Sequence, residues 1–163
     1  MVTIDDMGGV PVEITAFAFM PSEYSQKTGS YYEFSLEFGY TGFDELTEVF
    51  ASNWLYTPTE VYSDPQLELT NVVGGEWILF EFDESFMYDA SVNLLLEISW
   101  NGPIDPPDSR IYAMSWEDSK GGALVVSDAD ATKGYVTTMV PHMLFVTSMS
   151  LEPNTFAGIK SSF

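Results

Sequence analysis

The chain contains no cysteine, which excludes disulfide bridges, thiolate metal sites and thiol catalysis. An absence of cysteine fits bacterial or archaeal surface proteins, but it fits many cytosolic proteins equally well. Basic residues are scarce too: 5 Lys and Arg stand against 25 Asp and Glu, which gives a formal charge of −20. Such a field repels nucleic-acid phosphates and anionic lipid surfaces, so we expect no nucleic-acid partner.

Long apolar runs are also missing. No run in the chain approaches the roughly 18 apolar residues of a membrane-spanning helix, so no membrane span is expected. Residues 1–6 lack the basic region and the apolar run of a signal peptide. The protein is therefore either cytosolic or a secreted protein whose leader peptide is absent from this chain.

Catalytic signatures are few. His142 is the single histidine and no Gly-x-Ser-x-Gly elbow occurs, so a serine triad is not predicted. Glu33, Glu37 and Glu97 fall on outward strand positions, where a concave sheet could present a glycosidase-like carboxylate pair. Outward positions are usually polar without any catalytic reason, and we therefore predict a non-enzymatic protein.

A strict alternation over residues 32–40 is the most informative pattern in the chain. Apolar residues occupy every second position from Tyr32 to Tyr40, with Glu, Ser or Gly between them. A period of two indicates a strand with one buried face and one wet face, which is typical of antiparallel sheets. Further strands are predicted over 12–20, 60–62, 67–73, 76–83, 92–100, 111–116, 123–126, 135–139 and 143–149.

Turn signals rich in Gly, Pro, Asn and Asp separate these short strands. We therefore predict an all-β fold, an antiparallel two-sheet sandwich with jelly-roll topology. Helical spacing of apolar residues predicts one short helix near residues 43–51. We assign residues 1–146 to the sandwich domain and 147–163 to a C-terminal extension, docked on the sandwich or on a neighbouring subunit.

Several segments carry a family resemblance: Ile14–Pro21, Phe50–Trp54, Glu60–Tyr62 and Phe86–Ile98. Through them the chain, from Ile14 to about Val146, resembles an uncharacterised class of secreted bacterial β-sandwich modules. Residues 152–156 loosely resemble the start of the C-terminal sorting segment that often accompanies such modules. The resemblance implies an extracellular β-sandwich on the cell surface and brings no catalytic residues with it.

Apolar terminal segments support a structural role. Bacterial sandwiches often polymerise when a terminal strand joins the sheet edge of the next subunit. We therefore expect an extracellular structural module that self-assembles into a filament or surface layer, a homo-oligomer of identical subunits. Pairing of these ends within their own sandwich is the alternative. The assembly candidates are Ile4, Val10, Val12, Ile14, Met149, Leu151, Phe156, Ile159 and Phe163.

Carbohydrate binding is the alternative function. Sugars need exposed aromatic platforms beside amide or carboxylate groups, and tryptophans and tyrosines occur here among acids. Packing in the core is the competing explanation for each aromatic residue. The candidates for a glycan site are Trp54, Tyr56, Trp77, Trp100, Asn101 and Trp116.

Acidic turns suggest one further ligand. Asp105 with Asp108, and Asp128 with Asp130, provide the hard oxygen ligands that Ca²⁺ prefers. Neither pair has the spacing of a helix-loop-helix calcium loop, and simple polar turns explain the same residues. We therefore expect no cofactor, with a structural Ca²⁺ at these aspartates as the alternative.

Overall fold

The computed structural model describes residues 1–103, 111, 113–117, 122–126 and 131–148. The regular elements among these residues are β-strands and one 3-10 turn, and every strand pair is antiparallel, which confirms the predicted all-β class. The strands are β1 Val12–Phe19, β2 Thr28–Thr41, β3 Thr59–Thr70, β4 Ile78–Tyr88, β5 Asn93–Pro103, β6 Ser115–Glu117, β7 Ala123–Val125, β8 Tyr135–Thr137, β9 Met139–Pro141 and β10 Met143–Ser148.

Two three-stranded sheets form the body of the protein. One has the strand order β10-β1-β4 and the other has the order β3-β2-β5, so β1 and β2 are the central strands. Two-stranded ribbons, β6 with β9 and β7 with β8, accompany them. Both central strands are hydrogen-bonded along both edges, and their buried side chains belong to the core.

The two large sheets share one aromatic core. Phe17 of β1 meets Phe38 of β2 edge-on at 6.3 Å, and Phe34 of β2 stacks on Phe80 of β4 at 5.2 Å between ring centroids. Each contact joins the inner face of one sheet to that of the other. The arrangement is compatible with the predicted sandwich, while the jelly-roll topology stays a prediction.

The helix predicted near residues 43–51 is wrong except for a single 3-10 turn, Phe50–Ser52. The side chain of Asn53, almost fully buried, occupies the backbone groups that a helix would use. Its Oδ1 accepts from the Thr47 N–H at 2.7 Å, and its Nδ2 donates to the carbonyls of Thr47 and Val49, both at 3.0 Å.

Pairing with a distant segment removes the remaining helical bonds. The N–H of Phe50 donates to the Thr132 carbonyl at 3.3 Å, and the N–H of Gly134 donates to the Glu48 carbonyl at 2.9 Å. An N–H that donates to a distant carbonyl is not available for the helical bond to the carbonyl four residues earlier. The helical spacing of apolar residues was therefore overridden by tertiary hydrogen bonds.

The strand β3 unites two segments that the sequence suggested were separate. Pro65 lies inside it without breaking it, because β3 is an edge strand of its sheet and a proline is tolerated there. At the other end of the chain, β10 runs to Ser148, two residues past the predicted domain boundary. The extension beyond it, residues 149–163, lies outside the described residues.

Candidate functional site

The outer face of the β3-β2-β5 sheet carries the candidate site. Phe34, Leu36 and Phe38 of β2 are buried in the core, so the alternate residues of β2 point away from it. We call this outward surface the polar face. Strand register places its side chains in three rows: Gln66–Tyr32–Asn101, Ser63–Ser35–Ser99 and Glu60–Glu37–Glu97.

Three carboxylates share one row of the polar face. Glu37 on the central strand lies directly opposite Glu60 on one side and Glu97 on the other. Burial raises the pKa of the Glu37 carboxyl, and the charges of Glu97 and Glu60 raise it further. Burial also raises the pKa of Glu97. Ionised carboxylates that lie side by side and are partly desolvated repel one another, so this row lowers the stability of the folded protein.

Trp54 closes one end of the polar face. Its indole ring lies over Gly39 of β2, where an added Cβ would stand only 3.0 Å from the ring. The Trp54 side chain lies close enough to Glu97 to lower the pKa of that carboxyl, which opposes the effect of burial. The next residue anchors the loop, since the Leu55 N–H donates to the Tyr40 carbonyl at 2.8 Å. A glycine at position 39 is therefore what lets the aromatic ring approach the sheet.

Tyr32 lies at the opposite end of the polar face, with 44% of its surface exposed. Its register partner Asn101 contacts the carboxylate of Glu33 through the side-chain amide. Glu33 has a positive φ of 48°, at the point where the register between β2 and β5 shifts. The polar face runs along β2 from Tyr32 through Ser35 and Glu37 to Gly39, where Trp54 lies. At the rise of an extended strand, the distance from Tyr32 to Trp54 is roughly 20 Å.

Hydroxyl groups occupy the middle of the polar face. The Oγ atoms of Ser35 and Ser99 are 2.8 Å apart, and the Ser63 hydroxyl donates to Oε1 of Glu60 at 2.9 Å. Hydroxyls both donate and accept, while carboxylates accept only. The face therefore offers a ligand rich in hydroxyl groups many acceptors, together with some donors.

Only part of the predicted glycan set lies on this face. Trp54 and Asn101 are at its two ends, and Tyr56 is exposed two residues beyond Trp54. Trp100 is exposed and meets Tyr31 edge-on at 5.8 Å.

The other two candidates are exposed and lie outside the three rows of the polar face. Trp77 lines a cleft with residues 68–73, 76 and 78, and Trp116 meets His142 edge-on at 6.5 Å.

Tyr32, Glu60 and the serines were not predicted as parts of one site. Strict alternation along β2 puts Ser35 and Glu37 on one face and Tyr32 on the other face, with Phe34. In the structure Tyr31 packs against the core and Tyr32 is exposed, because the alternation is interrupted at Glu33, where φ is positive and the register shifts. Glu60 could not be added without the register of β3, which depends on a shift at Val61, a buried residue between Glu60 and Tyr62.

The N-terminal assembly candidates belong to the body of the protein. Val12 and Ile14 lie in β1, which is paired on both edges, and Ile14 is fully buried. Ile4 is half-buried beside a second cleft, and Val10 is exposed. Donating this segment to another subunit would therefore require β1 to leave its own sheet. The other candidates, Met149, Leu151, Phe156, Ile159 and Phe163, lie outside the described residues.

Metal binding finds no support in the described part of the chain, where no three His, Asp or Glu side chains are grouped to hold an ion. The predicted calcium ligands Asp105, Asp108, Asp128 and Asp130 all lie outside that part. A search of its helices also finds none long and apolar enough to cross a bilayer. Compared with known proteins, the chain matches no family model, no curated protein and no solved structure.

Proposed function

We propose that the protein is a non-enzymatic carbohydrate-binding module that holds a glycan along the polar face. The observation that carries the proposal is the placement of Tyr32 and Trp54 at the two ends of a row of serines and glutamates. Aromatic rings bind the apolar faces of sugars, and hydroxyl and carboxylate groups between them bind the sugar hydroxyls. The resemblance to secreted bacterial modules supports an extracellular or cell-surface setting.

The charge of the site selects the class of glycan. Glu37, Glu60 and Glu97 concentrate negative charge on a chain whose formal charge is already −20. Anionic polysaccharides are repelled by such a surface, whereas neutral glycans bind it freely and amino sugars gain attraction. We therefore propose neutral or cationic glycans as ligands.

Binding measurements with matched tryptophan and tyrosine variants test the proposal. A glycan array identifies ligands, and isothermal titration calorimetry then measures affinity for the full chain and its variants. Tyr32→Ala removes one platform and Glu37→Gln removes the central carboxylate. We expect each to weaken binding by about tenfold, equivalent to about 1.4 kcal/mol.

Trp77→Ala and Trp116→Ala are the matched controls, because both remove an exposed tryptophan that is not part of the three rows of the polar face. They should leave the affinity unchanged. The proposal is wrong if no neutral or cationic glycan binds. It is equally wrong if Trp116→Ala abolishes binding while Tyr32→Ala does not.

Self-assembly into a filament or surface layer stays a separate prediction from the sequence. The pairing of β1 on both edges within its own sheet, with Ile14 fully buried, supports a monomeric body at the N-terminal side. Sedimentation velocity of the full chain over a hundredfold range of concentration measures this directly. Growth of a high-mass species with concentration would favour the assembly role over glycan binding.

A further inference from the structure

The outer face of the β10-β1-β4 sheet is apolar where an exposed sheet face is normally polar. Strand register places Leu144, Ala18 and Leu79 in one row, and Val146 and Ala16 side by side in the next. Their neighbours Phe17 and Phe145 belong to the core, so these residues point outward. We call Ala16, Ala18, Leu79, Leu144 and Val146 the apolar stripe.

The large side chains of the apolar stripe are exposed to solvent. Leu79 is 51%, Leu144 is 42% and Val146 is 38% exposed, and the alanines between them are buried. Single exposed apolar residues are ordinary, but a contiguous set across three strands marks a surface that something covers. The other sheet carries serines and glutamates at its outward positions, on the polar face. The two sheets therefore differ in the polarity of their outer faces.

We propose that residues 149–163 of the same chain cover the apolar stripe. This segment follows directly after β10, and Ser148, the last residue of β10, pairs with Glu13 in the same sheet. The sequence Pro153-Asn154 is typical of a turn, and a turn at that point would return the chain over the sheet. The ten residues from Asn154 to Phe163 reach about 33 Å when extended, longer than the stripe. The apolar residues after that turn are Phe156, Ile159 and Phe163.

Charge and tethering favour this segment over a second copy of the protein. A second copy brings another formal charge of −20 to the interface. Residues 149–163 carry only Glu152 and Lys160, and Lys160 complements Glu81, which lies in the row of Ala16 and Val146. A covalently attached segment also has a high effective concentration at its own sheet, whereas a neighbour must be recruited from solution.

Spin labelling of the full chain tests the proposal, and the absence of cysteine makes a single label specific. A nitroxide is attached at Ala157→Cys, and the methyl signals of leucine and valine are recorded by NMR. We expect strong broadening of Leu79, Leu144 and Val146 and none at Leu55, an exposed leucine over the other sheet. Absence of broadening at the apolar stripe would overturn the proposal.

A charge placed in the apolar stripe should release the segment. Leu79→Asp is expected to abolish the broadening of Leu144 and Val146, whereas the matched control Leu55→Asp leaves it unchanged. Leu144→Asp, read at Leu79 and Val146, serves as a second variant if Leu79→Asp does not fold. If Leu79→Asp and Leu55→Asp changed the broadening equally, docking at the apolar stripe would be contradicted.

Mixing separates the two possible sources of the segment. Isotope-labelled chain without nitroxide is combined with unlabelled chain that carries the nitroxide. Docking within one chain predicts no broadening in the mixture. Broadening of the apolar stripe in the mixture would instead place the segment on a neighbouring subunit and overturn the proposal.

Discussion

Replacing Glu37 by glutamine should stabilise the protein at neutral pH while it weakens glycan binding. Glu37 faces a like charge on each side, Glu60 and Glu97, and its side chain is half-buried. A like-charge pair directly across neighbouring strands costs about 0.2–1 kcal/mol, so removing two pairs contributes about 0.5–2 kcal/mol. Water and salt screen part of the repulsion between the carboxylates, so the gain in stability should be largest at low ionic strength.

Urea denaturation at pH 7 measures the change. With a slope near 2 kcal/mol/M, the midpoint should rise by about 0.3–1 M. Glu60→Gln, at the exposed edge of the row with one carboxylate neighbour, should give a smaller rise. Glu84→Gln makes the same charge change at an exposed position of β4 and should leave the urea midpoint nearly unchanged.

The pH dependence of the gain follows from the raised pKa of Glu37. Its folded pKa lies above the ordinary value of 4.5, so the ionised carboxylate destabilises the folded state at neutral pH. That penalty fades as pH falls through the folded pKa. The difference between Glu37→Gln and the parent should therefore be largest near pH 7 and vanish below about pH 4. A loss of stability at pH 7, or a gain that persists at pH 3, would refute the reasoning.

Three further substitutions test the core, the turn and the approach of Trp54. Phe38→Ala empties a fully buried site that contacts four other aromatic rings, and should cost about 3–5 kcal/mol in urea denaturation, against nearly nothing for Tyr24→Ala at an exposed site. Asn53→Ala removes three hydrogen bonds to residues 47 and 49, and should cost about 1–3 kcal/mol and speed amide exchange there, whereas Ser52→Ala should not. Gly39→Ala places a Cβ 3.0 Å from the Trp54 ring, and should cost about 1–3 kcal/mol and increase iodide quenching of tryptophan fluorescence, whereas Gly42→Ala meets nothing within 4 Å and should be neutral. Values below about 0.5 kcal/mol for any of the three would show that the contact in question does not stabilise the fold.

Alternation in the sequence was enough to identify the central strand and the two faces of residues 34–38. In β2, Phe34, Leu36 and Phe38 are buried and Glu37 faces outward, as the period of two predicted. This works because successive side chains in a strand point to opposite faces whatever lies next to the strand. The same local logic failed for residues 43–51, where bonds from Asn53 and from the segment around residue 133 replaced a helix.

The sequence by itself determined the all-β class, the acidic surface and the position of apolar and polar residues along each strand, because these depend on composition and on local geometry. Only the tertiary structure decided that Glu60, Glu37 and Glu97 share a row, that Trp54 lies over Gly39, and that Leu79 and Leu144 flank Ala18. Such neighbours come from strands distant in the chain. Their register is set by bulges and by packing of the shared core, and neither can be read from residue periodicity within a single strand.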